Sequence, residues 1–487
     1  MQRSRLHTGP VRFAPTGRFL VLALGALALA APLGRPPAAA EPTQGTALED
    51  DPLLAALTAQ ALQHRPELAQ ARARLDAERE RVPQVGALPD PNLTLGIQND
   101  GFSRIEIGRM ETSFASIMAS QTFPFFGKRG LRTQVATLAA RSAEADLARV
   151  ELSVRAEVER AYLEVLRVRD QLGLLSKLDA LWSQAEGLSR TRYESGDGAQ
   201  TDILRAQLER TRLRQRRWSL EAEQRRGVTV LNRLSGRALD ESLPTTRALS
   251  DLPDPPLREP GPALADAEAR SPELQKARLS IDEASRRVEL ARKDVIPDPT
   301  VSLGLMLRGG EFPPMWQASI SVPLPVWAGR KQSRAVTENQ AWQRASAEGL
   351  EGLRHLLCQR MVERRTLLEA ARETNQLFRA GLLVQSQATV TSSLVQYQVG
   401  RLTFASVLEA LIGYVGDEGG FLDSVAAAQR LAIADRELSL EGEGGPASSG
   451  MGTGSVPGTG TLTGGASAPT RPGSSEGGGG SSMPSRM

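Results

Sequence analysis

The chain of 487 residues has one cysteine, Cys358, and three histidines. A lone cysteine excludes an internal disulfide and a cysteine-rich metal cluster, and Cys358 stands too far along the chain to anchor a lipid at a mature N-terminus. With so few histidines, no Ser-His-Asp or Cys-His arrangement has support, and no paired carboxylates stand in a catalytic setting. The reading is therefore not an enzyme, with no cofactor and no resident metal. His355 and Cys358 fall three apart on a predicted helix and could touch one ion together. Zinc sites want three or four protein ligands, and His64 belongs to another segment. Aromatics make up only 4% of residues, which argues against a large barrel built wholly of strands and leaves room for long Ala/Leu/Arg-rich helices. The net charge of +3 is too mild to imply a nucleic-acid partner, and acidic and basic residues are interspersed.

Long apolar runs are also scarce. Residues 1–40 read as an export signal: Arg3, Arg5, Arg12 and Arg18 precede the apolar stretch Phe19 to Leu33, and Ala38-Ala39-Ala40 offers a cleavage site before Glu41. After residue 41 nothing approaches the roughly 20 consecutive apolar residues of a transmembrane helix. If the mature chain enters a membrane, strands must do it.

What is present is a duplication. His64-Arg65-Pro66-Glu67-Leu68 recurs as Arg270-Ser271-Pro272-Glu273-Leu274, and Pro89-Asp90-Pro91 as Pro297-Asp298-Pro299. The cluster Phe123-Pro124-Phe125-Phe126-Gly127-Lys128-Arg129 is echoed by Pro325-Val326-Trp327-Ala328-Gly329-Arg330-Lys331. Tyr193-Glu194-Ser195-Gly196 returns as Tyr397-Gln398-Val399-Gly400. Landmarks repeated in one order mark an internal repeat. The expected units are 41–250 and 251–442, followed by a disordered Gly/Ser-rich tail over 443–487, whose Gly452-Thr453-Gly454 lacks the strand and helix of a phosphate loop.

Each unit predicts a helix ending before its Pro-Asp-Pro, two short strands, then a long helical hairpin. Proline is absent from Phe125 to Leu243 and from Val326 to Gly445, which favours uninterrupted helix. Leu147, Val150, Val154, Val158, Ala161, Val165, Val168, Leu172 and Leu175 step by three and four, close to a coiled-coil seam. A helix from about 130 to 194 would be roughly 95 Å long. Gly196-Asp197-Gly198 would break it, and Thr201 would cap the return helix to about Arg233. Gly413, Gly416, Gly419 and Gly420 predict a kink or loose turn in the last helix, since each costs about 1 kcal/mol against alanine.

The strands alternate. Leu93, Leu95 and Ile97 interleave with Thr94, Gly96 and Gln98; Val301, Leu303, Leu305 and Leu307 with Ser302, Gly304 and Met306; Trp316, Ala318, Ile320 and Val322 with Gln317, Ser319 and Ser321. The stretch Ser113 to Thr122 alternates less cleanly. Aromatics flank them as two interfacial girdles: Phe102, Phe114, Phe312 and Trp316 at one end, Phe123, Phe125, Phe126 and Trp327 at the other. A small soluble sandwich would explain alternation alone. Lipid, however, tolerates no open sheet edge, and the smallest barrels need about eight strands. A membrane reading therefore demands association, and three protomers give twelve strands around a polar lumen.

The ordered double set of Pro-Glu-Leu helices, Pro-Asp-Pro strands, Gly-Lys-Arg re-entry and Tyr-x-x-Gly tips, over roughly residues 50 to 440, resembles the TolC family of outer-membrane efflux proteins. The short strands and Phe126-Gly127-Lys128-Arg129-Gly130 look most like its heavy-metal, cobalt–zinc–cadmium-type RND branch. The resemblance implies a mainly α fold with a small β part: a homotrimer with a twelve-stranded β-barrel in the outer-membrane bilayer and a helical coiled-coil tunnel in the periplasm. It also implies a periplasmic membrane-fusion adaptor and an inner-membrane RND-type pump as partners. The implied role is a passive efflux duct for metal ions or small toxic compounds. A type I secretion duct and a periplasmic coiled-coil scaffold or adaptor without a barrel stay open beside it. In the family, acidic residues past the tip glycines narrow the tunnel. Beyond Gly196 this chain has Asp202 and Arg205, and beyond Gly400 it has Ser406 and Glu409, so the acidic pattern is half kept. Asp202 and Glu409 are equally suited to simple helix N-terminal roles.

Overall fold

A computed structural model of the chain describes residues 48–245 and 247–440. The expected signal (1–40) and tail (443–487) lie outside the described residues. In the first half come α1 (Pro52–His64), α2 (Pro66–Gly86), β1 (Asn92–Gln98), β2 (Phe114–Thr122), α3 (Lys128–Glu194) and α4 (Gln200–Ser235). The second half repeats the order with α5 (Pro260–Arg270), α6 (Pro272–Lys293), β3 (Thr300–Leu307), β4 (Met315–Ser321), α7 (Gln332–Leu377), α8 (Leu383–Gln398) and α9 (Phe404–Glu437). Together α7 and α8 do the work of α3, with one π turn, Phe378–Leu382, between them. No described helix is long and apolar enough to cross a membrane.

Local chemistry explains the boundaries. Asp51 caps α1 by accepting from the Leu53 N–H at 2.9 Å, and Pro52 follows where no N–H is needed. Ser271 caps α6 in the same way, accepting from Leu274 N–H at 3.3 Å. Gly196 and Gly400 turn the hairpin tips with φ of 86° and 76°, a region costly for any residue with a Cβ. At 67 residues, α3 runs about 100 Å. Two apolar clusters hold it. One gathers Leu57, Val158, Tyr162, Leu166, Leu231 and Ile433 around the middle of α3. The other joins Val168, Leu178, Trp182, Tyr397, Phe404 and Leu411 towards the tips. Of the predicted seam, Val154, Val158, Val165, Val168 and Leu175 are buried.

Two expectations fail here. The return helix α4 takes Ala199 as its N-cap without a side-chain hydrogen bond, and Thr201 lies inside the first turn. The glycine cluster does not break α9, which is continuous from Phe404 to Glu437. Irregularity falls on the facing arm of the helical hairpin, at the π turn between α7 and α8. There Phe378 packs against Phe421, ring centroids 6.0 Å apart, and a Cβ on Gly420 would stand 3.3 Å from the Phe378 ring. The glycine makes room for an aromatic while tertiary packing keeps the helix whole.

The strands form one antiparallel sheet in the order β1-β2-β3-β4, so the two hairpins join through β2 and β3, and β1 and β4 are its edges.

Candidate functional site

The sheet register sorts side chains onto two faces. Leu95, Ile117, Leu305 and Trp316 form one cross-strand row, flanked by the row Leu93, Ala119, Leu303 and Ala318. This apolar face lies open: Leu95 is 70% exposed, Ile320 71% and Trp316 76%. The opposite face carries Thr94, Met118, Gly304 and Gln317 in one row, and Asn92, Ser120, Ser302 and Ser319 in another. The register also resolves β2: Ala115, Ile117 and Ala119 join the apolar face, while Phe114, opposite Gln98, falls on the polar one. Phe114 therefore leaves the expected aromatic girdle, because a one-residue step along a strand reverses the face.

Of the other girdle candidates, Phe126 and Trp327 are strongly exposed and Phe123 moderately so. The Phe125 and Phe126 rings meet edge to face with centroids 5.9 Å apart. These residues and Trp327 sit where strand passes into helix, and Trp316 lies near the loop end of β4.

That strand-to-helix passage is held by a buried lysine. Lys128 opens α3 and is 3% exposed. Its Nζ donates to the Asp298 carboxylate at 2.7 Å and to the Ile296 carbonyl at 2.6 Å, with Asp294 at 3.5 Å. Asp298 also accepts from the Phe125 N–H at 2.8 Å. Burial alone would push the Asp298 carboxyl up; the bonds from Lys128 and Phe125 outweigh it and hold the group below the usual carboxylate range. Both landmarks were visible in the sequence, but their pairing across the two repeats was not.

At the far ends of the helices the tips are joined side by side. Arg192 donates to the carbonyls of Tyr397 and Asp197, each at 2.9 Å, and its guanidinium stacks 4.8 Å from the Tyr397 ring centroid. The Tyr397 hydroxyl, in a side chain only 1% exposed, donates to Asp202 at 3.2 Å and lies 3.1 Å from the Ser189 hydroxyl. Burial raises the phenol above its ordinary range, and the neighbouring Asp202 charge adds to that. Asp202 is thus a latch acceptor, and sequence spacing alone missed Arg192, Ser189 and Tyr397 as its neighbours. Glu409 is not brought to Asp202. It is exposed on α9, lining a groove of about 390 Å³ with Gly413, Asp417, Thr389 and Ser393.

Among the described residues no group of three or more His, Cys, Asp or Glu is placed to hold a metal ion. Cys358 lines an apolar cavity of about 270 Å³ beside Met361 and Leu368, and His355 is exposed.

Residues 57–237 match the family described as "Outer membrane efflux protein". The chain is 22% identical over 337 residues to the cobalt-zinc-cadmium resistance protein CzcC of Cupriavidus metallidurans, covering 69% of this chain and 77% of that protein. Among solved structures it resembles the outer-membrane channel OprN, with a TM-score of 0.68 at 20% identity, over 80% of this chain and 91% of OprN. It also resembles CusC, described for its folding and transmembrane channel formation, with a TM-score of 0.66 at 16% identity, over 85% and 99% of the two chains.

Proposed function

We propose that the chain is a TolC-type outer membrane efflux protein and works as a homotrimeric passive duct that receives cargo from an inner-membrane RND-type pump through a periplasmic membrane-fusion adaptor. The observation that carries this is the four-stranded sheet: one apolar face open to its surroundings, one small and polar face, and two unpaired edges, joined to helices about 100 Å long. Water penalises that apolar face and lipid penalises those edges. Both costs vanish when three sheets close a twelve-stranded barrel in the outer-membrane bilayer, with the polar face around a water-filled lumen. The long hairpins then continue the lumen through the periplasm, after export directed by a cleaved signal in residues 1–40.

At the tips, Tyr397, Asp202 and Arg192 tie the two hairpins of one protomer together and hold the entrance narrow. Glu409 adds a carboxylate to each third of that entrance and favours cations. Gly196 and Gly400 give the tips the tight turns an adaptor meets. The likeness to CzcC supports divalent metal cations as cargo, with selection left to the pump.

The test is reconstitution of the mature chain. A heat-modifiable trimer in the outer-membrane fraction, conducting ions in planar bilayers, is the expected result. A water-soluble monomer with no conductance overturns the reading. Loss of tolerance to cobalt, zinc and cadmium on deletion of the gene, with drug tolerance intact, identifies the cargo class.

A further inference from the structure

The duplication is regular enough to fix how one protomer meets the next. Pro91 matches Pro299 and Pro124 matches Pro325 in the two units. Carrying residues through those two matches turns each β1–β2 pair into an observed β3–β4 pair. Asn92 opposite Ser120 becomes Thr300 opposite Ser321, Leu95 opposite Ile117 becomes Leu303 opposite Ala318, and Gln98 opposite Phe114 becomes Met306 opposite Met315. The same matches can be applied to the β2–β3 junction, the one seam inside the chain where the end of one unit's hairpin meets the start of the other's. They give a pairing that the chain cannot make with itself, between β4 and β1.

We propose that β4 of one protomer pairs antiparallel with β1 of its partner in a defined register: Ile320 opposite the partner's Leu95, Ser321 opposite the partner's Thr94, and Gln317 opposite the partner's Gln98, with Arg330 bound to the partner's Asp90. This rests on the duct reading, in which the sheet edges close on copies of the same chain.

Three independent features agree with it. The first is the faces. Ala119 opposite Leu303 becomes Ile320 opposite the partner's Leu95, apolar on apolar, and Ser120 opposite Ser302 becomes Ser321 opposite the partner's Thr94, polar on polar. A slip by one residue would put leucine on the polar face. The second is the buried ion pair. Lys128, after Gly127, binds Asp298 of the second Pro-Asp-Pro. The second unit has one more residue between its proline and its glycine, so matching Gly127 to Gly329 makes Arg330 the counterpart of Lys128, and the counterpart of Asp298 is Asp90. Both are exposed, and among the described residues neither side chain makes a hydrogen bond or ion pair. The third is the neighbouring cation. Arg129 turns back on its own unit and donates to the Gly86 carbonyl at 2.9 and 2.6 Å. Lys331, its counterpart, lines a cavity of about 660 Å³ with Asp294, the residue that stands where Gly86 stands in the first unit. Lys331 thus stands beside its own unit's Asp294 without bonding to it, while Arg330 is not among the residues lining that cavity.

The experiment uses the full chain with Cys358→Ala as a cysteine-free background. Leu95→Cys with Ile320→Cys, and separately Thr94→Cys with Ser321→Cys, are expected to give reducible cross-linked oligomers in outer membranes. Adjacent pairs alternate between the two antiparallel spacings, so one of the two sites is the closer. Leu95→Cys with Ala318→Cys or with Val322→Cys, each two residues out of register, is expected to cross-link at least tenfold less. Asp90→Arg is expected to reduce the SDS-resistant oligomer severalfold, and Asp90→Arg with Arg330→Asp to restore it. Conducting oligomers that cross-link in the slipped pairs, or an exchange that restores nothing, overturn this pairing while the duct stands. A cysteine-free chain that forms neither oligomer nor pore overturns both.

Discussion

Two copies of each landmark exist in this chain, and their surroundings differ. Asp298 is clasped by Lys128, while Asp90 is open; Tyr397 is 1% exposed, while Tyr193 is 48% exposed. Inside one chain the end of the first unit meets the start of the second, so half of the junctions close. The end of the second unit has no first unit to meet. A duplicated chain in which Asp298 and Tyr397 are held while Asp90 and Tyr193 stand open has the form that one segment of the proposed ring requires. On the proposed pairing, the exposed copies are contacts deferred to another molecule.

The largest break in that comparison is expected at the closed junction. Lys128→Met removes the partner of Asp298 and leaves the Ile296 carbonyl without its donor. Removing one member of such a partly buried pair costs about 1–3 kcal/mol, and heat-scanned circular dichroism is expected to show a lower melting temperature. Arg330→Met, at the open copy, is expected to leave the helical content intact and to cost only SDS-resistant association. Acid sharpens the contrast. The Asp298 carboxyl is held low in the fold, so its contribution is complete above the ordinary carboxylate range and disappears as pH falls through its own depressed value. That acid-labile increment is expected in the native chain and absent from Lys128→Met.

A smaller effect is expected at the tips. Tyr397→Phe deletes the hydroxyl that joins Asp202 and Ser189, worth about 1 kcal/mol as a net hydrogen bond and somewhat more if Asp202 stays unpaired. If the bond holds the entrance narrow, single-channel conductance in planar bilayers rises and long openings appear. Tyr193→Phe, at the exposed copy, is expected to leave the pairing within the protomer untouched. Glu409→Ala is expected to raise ion leak and lower cation preference without releasing that pairing. Equal conductance for Tyr397→Phe and the native chain would remove the latch from the gate.

Much of this was legible in residues 50 to 440 because the signals are local. Missing prolines marked α3, α4 and α9, Pro-Asp-Pro marked the strand starts, and period-two alternation marked the faces of β1, β3 and β4. What stayed hidden depends on partners distant in sequence. Lys128 and Asp298 are joined only by the fold, and so are Tyr397 and Asp202. The faces of β2 became clear only from its two neighbours, because alanine and serine carry little contrast at its ambiguous positions. The helix-breaking weight given to the α9 glycines was overridden by packing: helix propensity is worth about 1 kcal/mol per glycine, less than the burial around Phe421 and Leu422 supplies.

Those glycines give the finest form of the comparison between copies. The return helix of the first unit, α4, contains one glycine, Gly227; that of the second, α9, contains Gly413, Gly416, Gly419 and Gly420. Only Gly420 has a neighbour that explains it, the Phe378 ring. A Cβ at Gly413, Gly416 or Gly419 would meet nothing within 4 Å. In an isolated protomer, Gly413→Ala is therefore expected to stabilise α9 by up to about 1 kcal/mol through helix propensity alone. In the assembled ring the sign discriminates. If the open side of α9 faces water there too, the gain persists as a higher melting temperature of the oligomer. If a neighbouring helix approaches as closely as glycine permits, the added methyl clashes and the oligomer weakens. Comparing Gly413→Ala with Gly227→Ala, whose Cβ would meet Val165 at 3.2 Å within the protomer, separates the two. Loss confined to the assembled form for position 413, against loss in both forms for position 227, marks the second unit's glycine stripe as a deferred contact like Asp90 and Tyr193.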